Sequence, residues 1–208
     1  SSEYAQYIYD LSAKKVMTGN GDKFNPGGEV TRTAAVKTLG KWLVNVHGYE
    51  VPADWNTKAR FNDVAVDAKD EELVKYAALL KDLGIFTGNE AGNLNAKNTL
   101  NREQMAKVVV EAYSVIEGVK VVDLVADFES SLKDLSSVSA GNVDYVKVFE
   151  KYGITTVDTF NPKGKMQRQH FAKFLSIAIN SEALAKDTAE LADPVVAALT
   201  AVEKAVAA

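Results

Sequence analysis

Ile85–Lys107, IFTGNEAGNLNAKNTLNREQMAK, decides the fold, because this stretch occurs three times. Val16–Lys37 reads VMTGNGDKFNPGGEVTRTAAVK, and Ile154–Lys173 is a shorter version, ITTVDTFNPKGKMQRQHFAK. Each copy leaves the end of an apolar helix, crosses a Gly/Asn loop to an aromatic or aliphatic anchor, and reaches an arginine that opens another helix. A fixed period of this kind signals one supersecondary unit used several times. The register holds on subtraction. Tyr7, Tyr76 and Tyr145 are spaced by 69 and 69, as are Val16, Ile85 and Ile154. Arg32, Arg102 and Arg168 are spaced by 70 and 66, and Phe24, Leu94 and Phe160 each precede the arginine by 8.

Working outward, the stretch before each loop has a helical stripe. Tyr4, Tyr7, Ile8 and Leu11 fall at i, i+3, i+4 and i+7, predicting a helix over about residues 3–15. Leu73, Tyr76, Ala77 and Leu80 repeat it, and Tyr145, Val146 and Phe149 keep part of it. After each arginine a second stripe follows: Ala35, Leu39, Trp42, Leu43 and Val46, then Met105, Val109, Ala112, Tyr113 and Ile116, then Phe171, Leu175, Ala178 and Ile179. Thr31 and Asn101 are good N-caps, Asn101 with Gln104 fits a capping box, and Gln167 is a poor cap. Glycine supplies positive φ in the loops and asparagine tolerates it. Lys120–Val125 is a short β-branched run without a hairpin partner, so the fold is expected to be mainly α.

At 208 residues the chain suits one domain of three mutually dependent repeats: 1–47, 58–118 and 128–181. Residues 182–208 are Ala-rich and read as a helical linker or the start of a following domain, broken at Pro194. A net charge of −4 without a basic run gives no footing for nonspecific nucleic-acid binding. The absence of cysteine excludes disulfides, a thiol nucleophile and Cys zinc sites. No apolar run is long enough to span a bilayer, and the N-terminus lacks a signal-peptide pattern, as in a cytosolic or a processed secreted protein. His47 and His170 have no companion at metal-binding spacing, and NGDKFNPGGEVT lacks the alternating carboxylates of a calcium loop. No cofactor and no catalysis are expected.

Two apolar-x-Asp-apolar signatures, Phe61-Asn62-Asp63-Val64 and Leu132-Lys133-Asp134-Leu135, stand 71 apart ahead of the second and third leading helices. Counting back the same interval places the first copy's aspartate ahead of residue 1. F-x-D-V, a helix, TGN-x-x-G-x-F-x-P and [TN]-R-x-x-x-A/V-K together resemble the S-layer homology family, over about residues 1–181. The resemblance implies a pseudo-threefold assembly of three helix–loop–helix repeats, with a central three-helix bundle and grooves between modules. It also implies a non-catalytic anchor that binds pyruvylated secondary cell wall polysaccharide and tethers an S-layer protein to a Gram-positive wall. On that reading there is no membrane insertion, and lattice self-assembly runs through other domains.

The residues fit that chemistry. Arg32, Arg102 and Arg168 open helices, beside backbone N–H groups expected to be free at the positive end of the dipole. A guanidinium there can hold a ketal carboxylate by two parallel hydrogen bonds. Asp63 and Asp134 can accept from sugar hydroxyls, and Thr18-Gly19 and Thr87-Gly88 let backbone approach a ring. The family's [ST]-R-[AS]-[ED] appears as Thr31-Arg32-Thr33-Ala34, Asn101-Arg102-Glu103-Gln104 and Gln167-Arg168-Gln169-His170, and Val157 replaces the third loop glycine. These departures point to the grooves of Arg32 or Arg102 ahead of that of Arg168. Against the ligand reading stand plainer ones: arginines that fix turns through loop carbonyls, aspartates that cap or shape turns, tyrosines at the core rim, and Lys37, Lys107 and Lys173 on solvated faces. A helical scaffold whose grooves take a peptide is the rival function.

Overall fold

The computed structural model describes residues 3–19, 23–194 and 198. Among the described residues there are seven α-helices: α1 (Ala5–Ala13), α2 (Arg32–Lys41), α3 (Glu71–Asp82), α4 (Arg102–Glu117), α5 (Val143–Lys151), α6 (Arg168–Ile179) and α7 (Glu182–Ala192). Among the described residues there is no extended strand, only three isolated antiparallel bridges. The β-branched run folds as a 3₁₀ turn over Val121–Val125, burying Val121 and Val125. With no second strand to complete a ladder, its valines pack as apolar pegs instead.

The two stripes read from the sequence become the two helices of each module. Leu11, Ala77, Leu80, Val146 and Phe149 are buried on the leading helices α1, α3 and α5. Ala35, Leu39, Met105, Val109, Phe171 and Leu175 are buried on α2, α4 and α6. Val46 departs from its stripe and is 40% exposed. The helix widens into a π turn over Trp42–Val46, which rotates the residues beyond Trp42 out of α-helical phase. Trp42 and Leu43 still reach the core.

Helix starts follow the local chemistry. Thr31 Oγ1 accepts from Ala34 N at 3.2 Å, and Asn101 and Gln104 form the reciprocal capping box. Gln167 makes no side-chain cap. In all three loops the residue after the anchor is an asparagine in the left-handed region, with φ of 53° at Asn25, 57° at Asn95 and 55° at Asn161. Its carbonyl then accepts from the residue three further on, Gly28, Asn98 or Gly164. That turn sends the chain back toward the arginine helix.

The modules pack on one another in a cycle. α2 of the first lies against α3 of the second, α4 of the second against α5 of the third, and α6 of the third against α1 of the first. Gly40 lets the first of these pairs come close, since a Cβ there would sit 2.2 Å from Cγ of Tyr76. At the junction, Val30 N donates to Met166 O, Met166 N to Leu100 O, and Leu100 N to Val30 O, at 2.8, 2.9 and 3.0 Å. This closed ring of three backbone bonds takes one strand-like segment from each module. α7 does not stand apart: Leu184 and Thr188 are buried, Ser181 caps the helix, and Tyr152 Oη donates to Asp187 at 2.7 Å. Residues 195–197 and 199–208 of the Ala-rich tail lie outside the described residues.

Candidate functional site

Each arginine reaches across a junction onto its neighbour's loop. Arg32 Nε donates to the carbonyl of Leu94, Arg102 Nε to that of Phe160 at 2.6 Å, and Arg168 Nε to that of Phe24 at 2.8 Å. The accepting residue is the anchor in every case, so the cycle seen in helix packing is repeated in side chains. The guanidinium carbons lie over aromatic rings: Arg32 at 5.3 Å from Phe86, Arg102 at 4.9 Å from Phe160 and 5.0 Å from Phe174, Arg168 at 4.6 Å from Phe24. Nε and one face of each guanidinium therefore serve the frame, as the plainer reading held.

The backbone donors at these helix starts are not free. Arg32 N and Thr33 N donate to Asn98 O and Ala96 O, Arg102 N and Glu103 N to Gly164 O and Pro162 O, and Arg168 N and Gln169 N to Gly28 O and Pro26 O. The expectation of open N–H groups fails because the neighbouring loop folds over each helix start and consumes its first two donors. Among the described residues the side-chain hydrogen bonds of Arg32 and Arg102 use Nε alone, whereas Arg168 also commits Nη2, to Thr18 O.

The aspartates face their own loops. Asp63 accepts from Leu94 N at 2.6 Å and Asn95 N at 2.7 Å, and Asp134 from Phe160 N at 2.8 Å and Asn161 N at 2.6 Å. Each carboxylate thus fixes the loop whose anchor carbonyl receives an arginine, Asp63 the loop that receives Arg32 and Asp134 the loop that receives Arg102. Burial lowers the affinity of all three guanidiniums for their proton, while Asp63 and Asp134 oppose this at Arg32 and Arg102. An arginine stays cationic regardless.

Three crevices open at the three junctions. The largest, about 340 Å³, is lined by Arg168, Thr18, Gly19, Lys37, Lys41 and Glu72. Arg168 Nη2 also donates to Thr18 O at 3.0 Å, and Lys41 pairs with Glu72 at 2.9 Å. The second, about 300 Å³, is lined by Arg32 with Gly88, Asn89, Asn95, Asn98 and Gln104. The third, about 100 Å³, brings Arg102 together with Tyr4, Val157, His170 and Lys173. The roomiest of the three crevices belongs to Arg168, by a small margin over that of Arg32.

Thr18 and Gly19 line the crevice of Arg168, and Gly88 lines that of Arg32. Thr87, Asp63 and Asp134 line none of the three crevices. Thr87 gives its carbonyl to Lys81 Nζ. Gly88, at φ 79°, is required by its own module: a Cβ would lie 3.0 Å from Asn93 O and 3.1 Å from the Phe61 ring. Sequence reasoning missed Tyr4, Gln104 and Asn89. A usable signal existed for part of this set. The residue two after each arginine, Ala34, Gln104 or His170, lines the crevice holding the preceding module's arginine.

Among the described residues no helix is long and apolar enough to cross a membrane. Residues 1–35 and 60–106 match the S-layer homology domain. The chain is 24% identical over 174 residues to an uncharacterized cell wall amidase of Bacillus anthracis, covering 83% of this chain and 30% of that protein. It is 28% identical over 171 residues to an S-layer protein of Bacillus thuringiensis subsp. finitimus, covering 80% and 19%. It is 31% identical over 175 residues to an endoglucanase of Bacillus sp. (strain KSM-635), covering 82% and 17%. The chain thus spans less than a third of each of these relatives. Over residues 1–35 and 60–106 the chain is therefore similar to the S-layer homology domain, the kind of module that anchors bacterial surface proteins to the cell wall.

Proposed function

We propose that this chain anchors its parent protein non-catalytically by binding pyruvylated secondary cell wall polysaccharide in the crevices between modules. The observation that carries the reading is the repeated junction: a guanidinium tied by Nε to a neighbouring loop, its outer edge lining a polar crevice. A cation held rigidly in this way loses little entropy on meeting a carboxylate, and its fork matches the two oxygens. The cyclic hydrogen bonding supports a pseudo-threefold unit of three modules that extends through α7 to Ala192. The Arg168 crevice offers the most room of the three, and Lys37 and Lys41 beside it are paired with Asp70 and Glu72. Each carboxylate contact contributes about 1.5–3 kcal/mol as a charge-assisted bond, and several weak sites on one polymer add by effective concentration.

Isothermal titration with a short pyruvylated wall fragment tests this, against the same fragment after chemical removal of pyruvate. Saturable binding that disappears with the pyruvate is expected. Equal binding of both fragments would overturn the carboxylate reading, and no binding of either would overturn the glycan reading.

A further inference from the structure

The three crevices share a plan and differ at one register position. Two residues after each arginine stands Ala34, Gln104 or His170, facing the Arg168, Arg32 and Arg102 crevices respectively. Alanine leaves space, and glutamine offers an uncharged amide. Histidine alone changes charge near neutral pH. His170 is half-buried in the smallest crevice, between Arg102 of α4 and Lys173 of its own helix. Its ring meets the edge of Tyr4 at 5.3 Å, which fixes it across the junction. Val157 lines this crevice at the position where the second module has Gly88.

We propose that His170 makes the Arg102 crevice a proton-linked carboxylate site, which holds its ligand more tightly as pH falls, whereas the Arg32 and Arg168 crevices do not. The inference rests on the carboxylate-binding reading above. The groups facing His170 are Arg102, Lys173, Tyr4 and Glu3. Asp10, on the helix packed against α6, is engaged by Lys14, Ser176 and Asn180. Burial and the two cations hold the imidazole below its ordinary value, with Glu3 opposing weakly, so the empty crevice keeps it neutral at pH 7. A carboxylate brought against Arg102 reverses that balance, since an opposite charge within about 4–6 Å raises a histidine by roughly a unit or more. Ligand entry then draws a proton onto the ring. At about 100 Å³ the crevice has room for roughly three waters' share of liquid, enough for a carboxylate and little more.

The test is an NMR titration of the His47 and His170 ring protons, with and without the short pyruvylated fragment. Calorimetry at pH 5.5 and 7.5 accompanies it, in buffers of different ionisation heat. The fragment is expected to move the His170 midpoint upward by about one unit, leave His47 unmoved, and bind one site roughly fivefold more tightly at pH 5.5 than at pH 7.5. His170→Gln is expected to bind at pH 7.5 and to lose the pH dependence and the proton uptake. Binding that leaves the His170 midpoint unmoved, or pH dependence that survives in His170→Gln, would overturn the inference while leaving the proposed function standing. Absence of binding at either pH would remove the proposed function and this inference together.

Discussion

Arg102→Ala separates the frame from the ligand site. Arg102 gives Nε to the Phe160 carbonyl at 2.6 Å and covers the rings of Phe160 and Phe174 at 4.9 and 5.0 Å. A hydrogen bond from a charged donor contributes about 1.5–3 kcal/mol, and each cation–π contact about 0.5–1 kcal/mol. Because the exposed crevice lets water reach the abandoned carbonyl, the sum settles near 3 kcal/mol. For a chain of this length each kcal/mol moves Tm by about 2–4 °C, so the variant is expected to melt roughly 6–12 °C lower. Circular dichroism melts and urea midpoints measure it, with Lys133→Ala as a surface control. Lys133 pairs with Asp158 in the open, and its loss should stay within about 0.5 kcal/mol. Arg102→Lys keeps the charge without the planar fork and is expected to fall nearly as far. An Arg102→Ala melt within about 2 °C of wild type would refute the assignment of this arginine to the frame. Any binding assay on the variant must therefore be run well below its own transition.

Asp63→Asn retains one acceptor oxygen but loses the charge that holds Leu94 N and Asn95 N, at an expected cost of about 1–2 kcal/mol in urea unfolding. Gly40→Ala gains helix propensity but drives a methyl into the Tyr76 ring. A net loss of about 1–2 kcal/mol is expected by the same measurement, and a gain would mean that α2 and α3 part easily. Glu103 is buried, which alone would raise its carboxyl, yet the bonds from Lys163 and Ser139 bring it below the ordinary glutamate value. A depressed folded value stabilises above the unfolded value and is lost as pH falls through the folded one. Glu103→Gln is therefore expected to cost about 2 kcal/mol at pH 7 and to converge on wild type in acid, as urea titrations between pH 3 and 7 would show.

Much of this architecture was legible in the chain. The spacing of Tyr7, Tyr76 and Tyr145, the two apolar stripes and the caps at Thr31 and Asn101 are local signals, and local physics delivers them. What the sequence hid was the partner of each group. Arg32 and Leu94 lie 62 residues apart, and nothing at either position says that a guanidinium will meet that carbonyl. The same blindness made the helix-start donors look free, because the loop that consumes them belongs to another module. Gln167 is a poor cap and makes no side-chain bond at the third helix start. Arg168 N and Gln169 N are instead satisfied by Gly28 O and Pro26 O, so tertiary bonds replace the missing cap. Val46 missed its stripe because the π turn at Trp42 changes the period, and an i, i+4 count presumes it constant.

The bond from Arg168 to Phe24 spans 144 residues and staples the last module to the first. An anchor bears traction, and three beads on a string would give way one after another from the pulled end. Here the terminal beads are clasped, so tension has to shear α6 from α1 and break the loop clasp before any single bead can peel away. No module owns a whole crevice either: each crevice draws its lining from at least two of them, so the clasp that shares the load also assembles the sites.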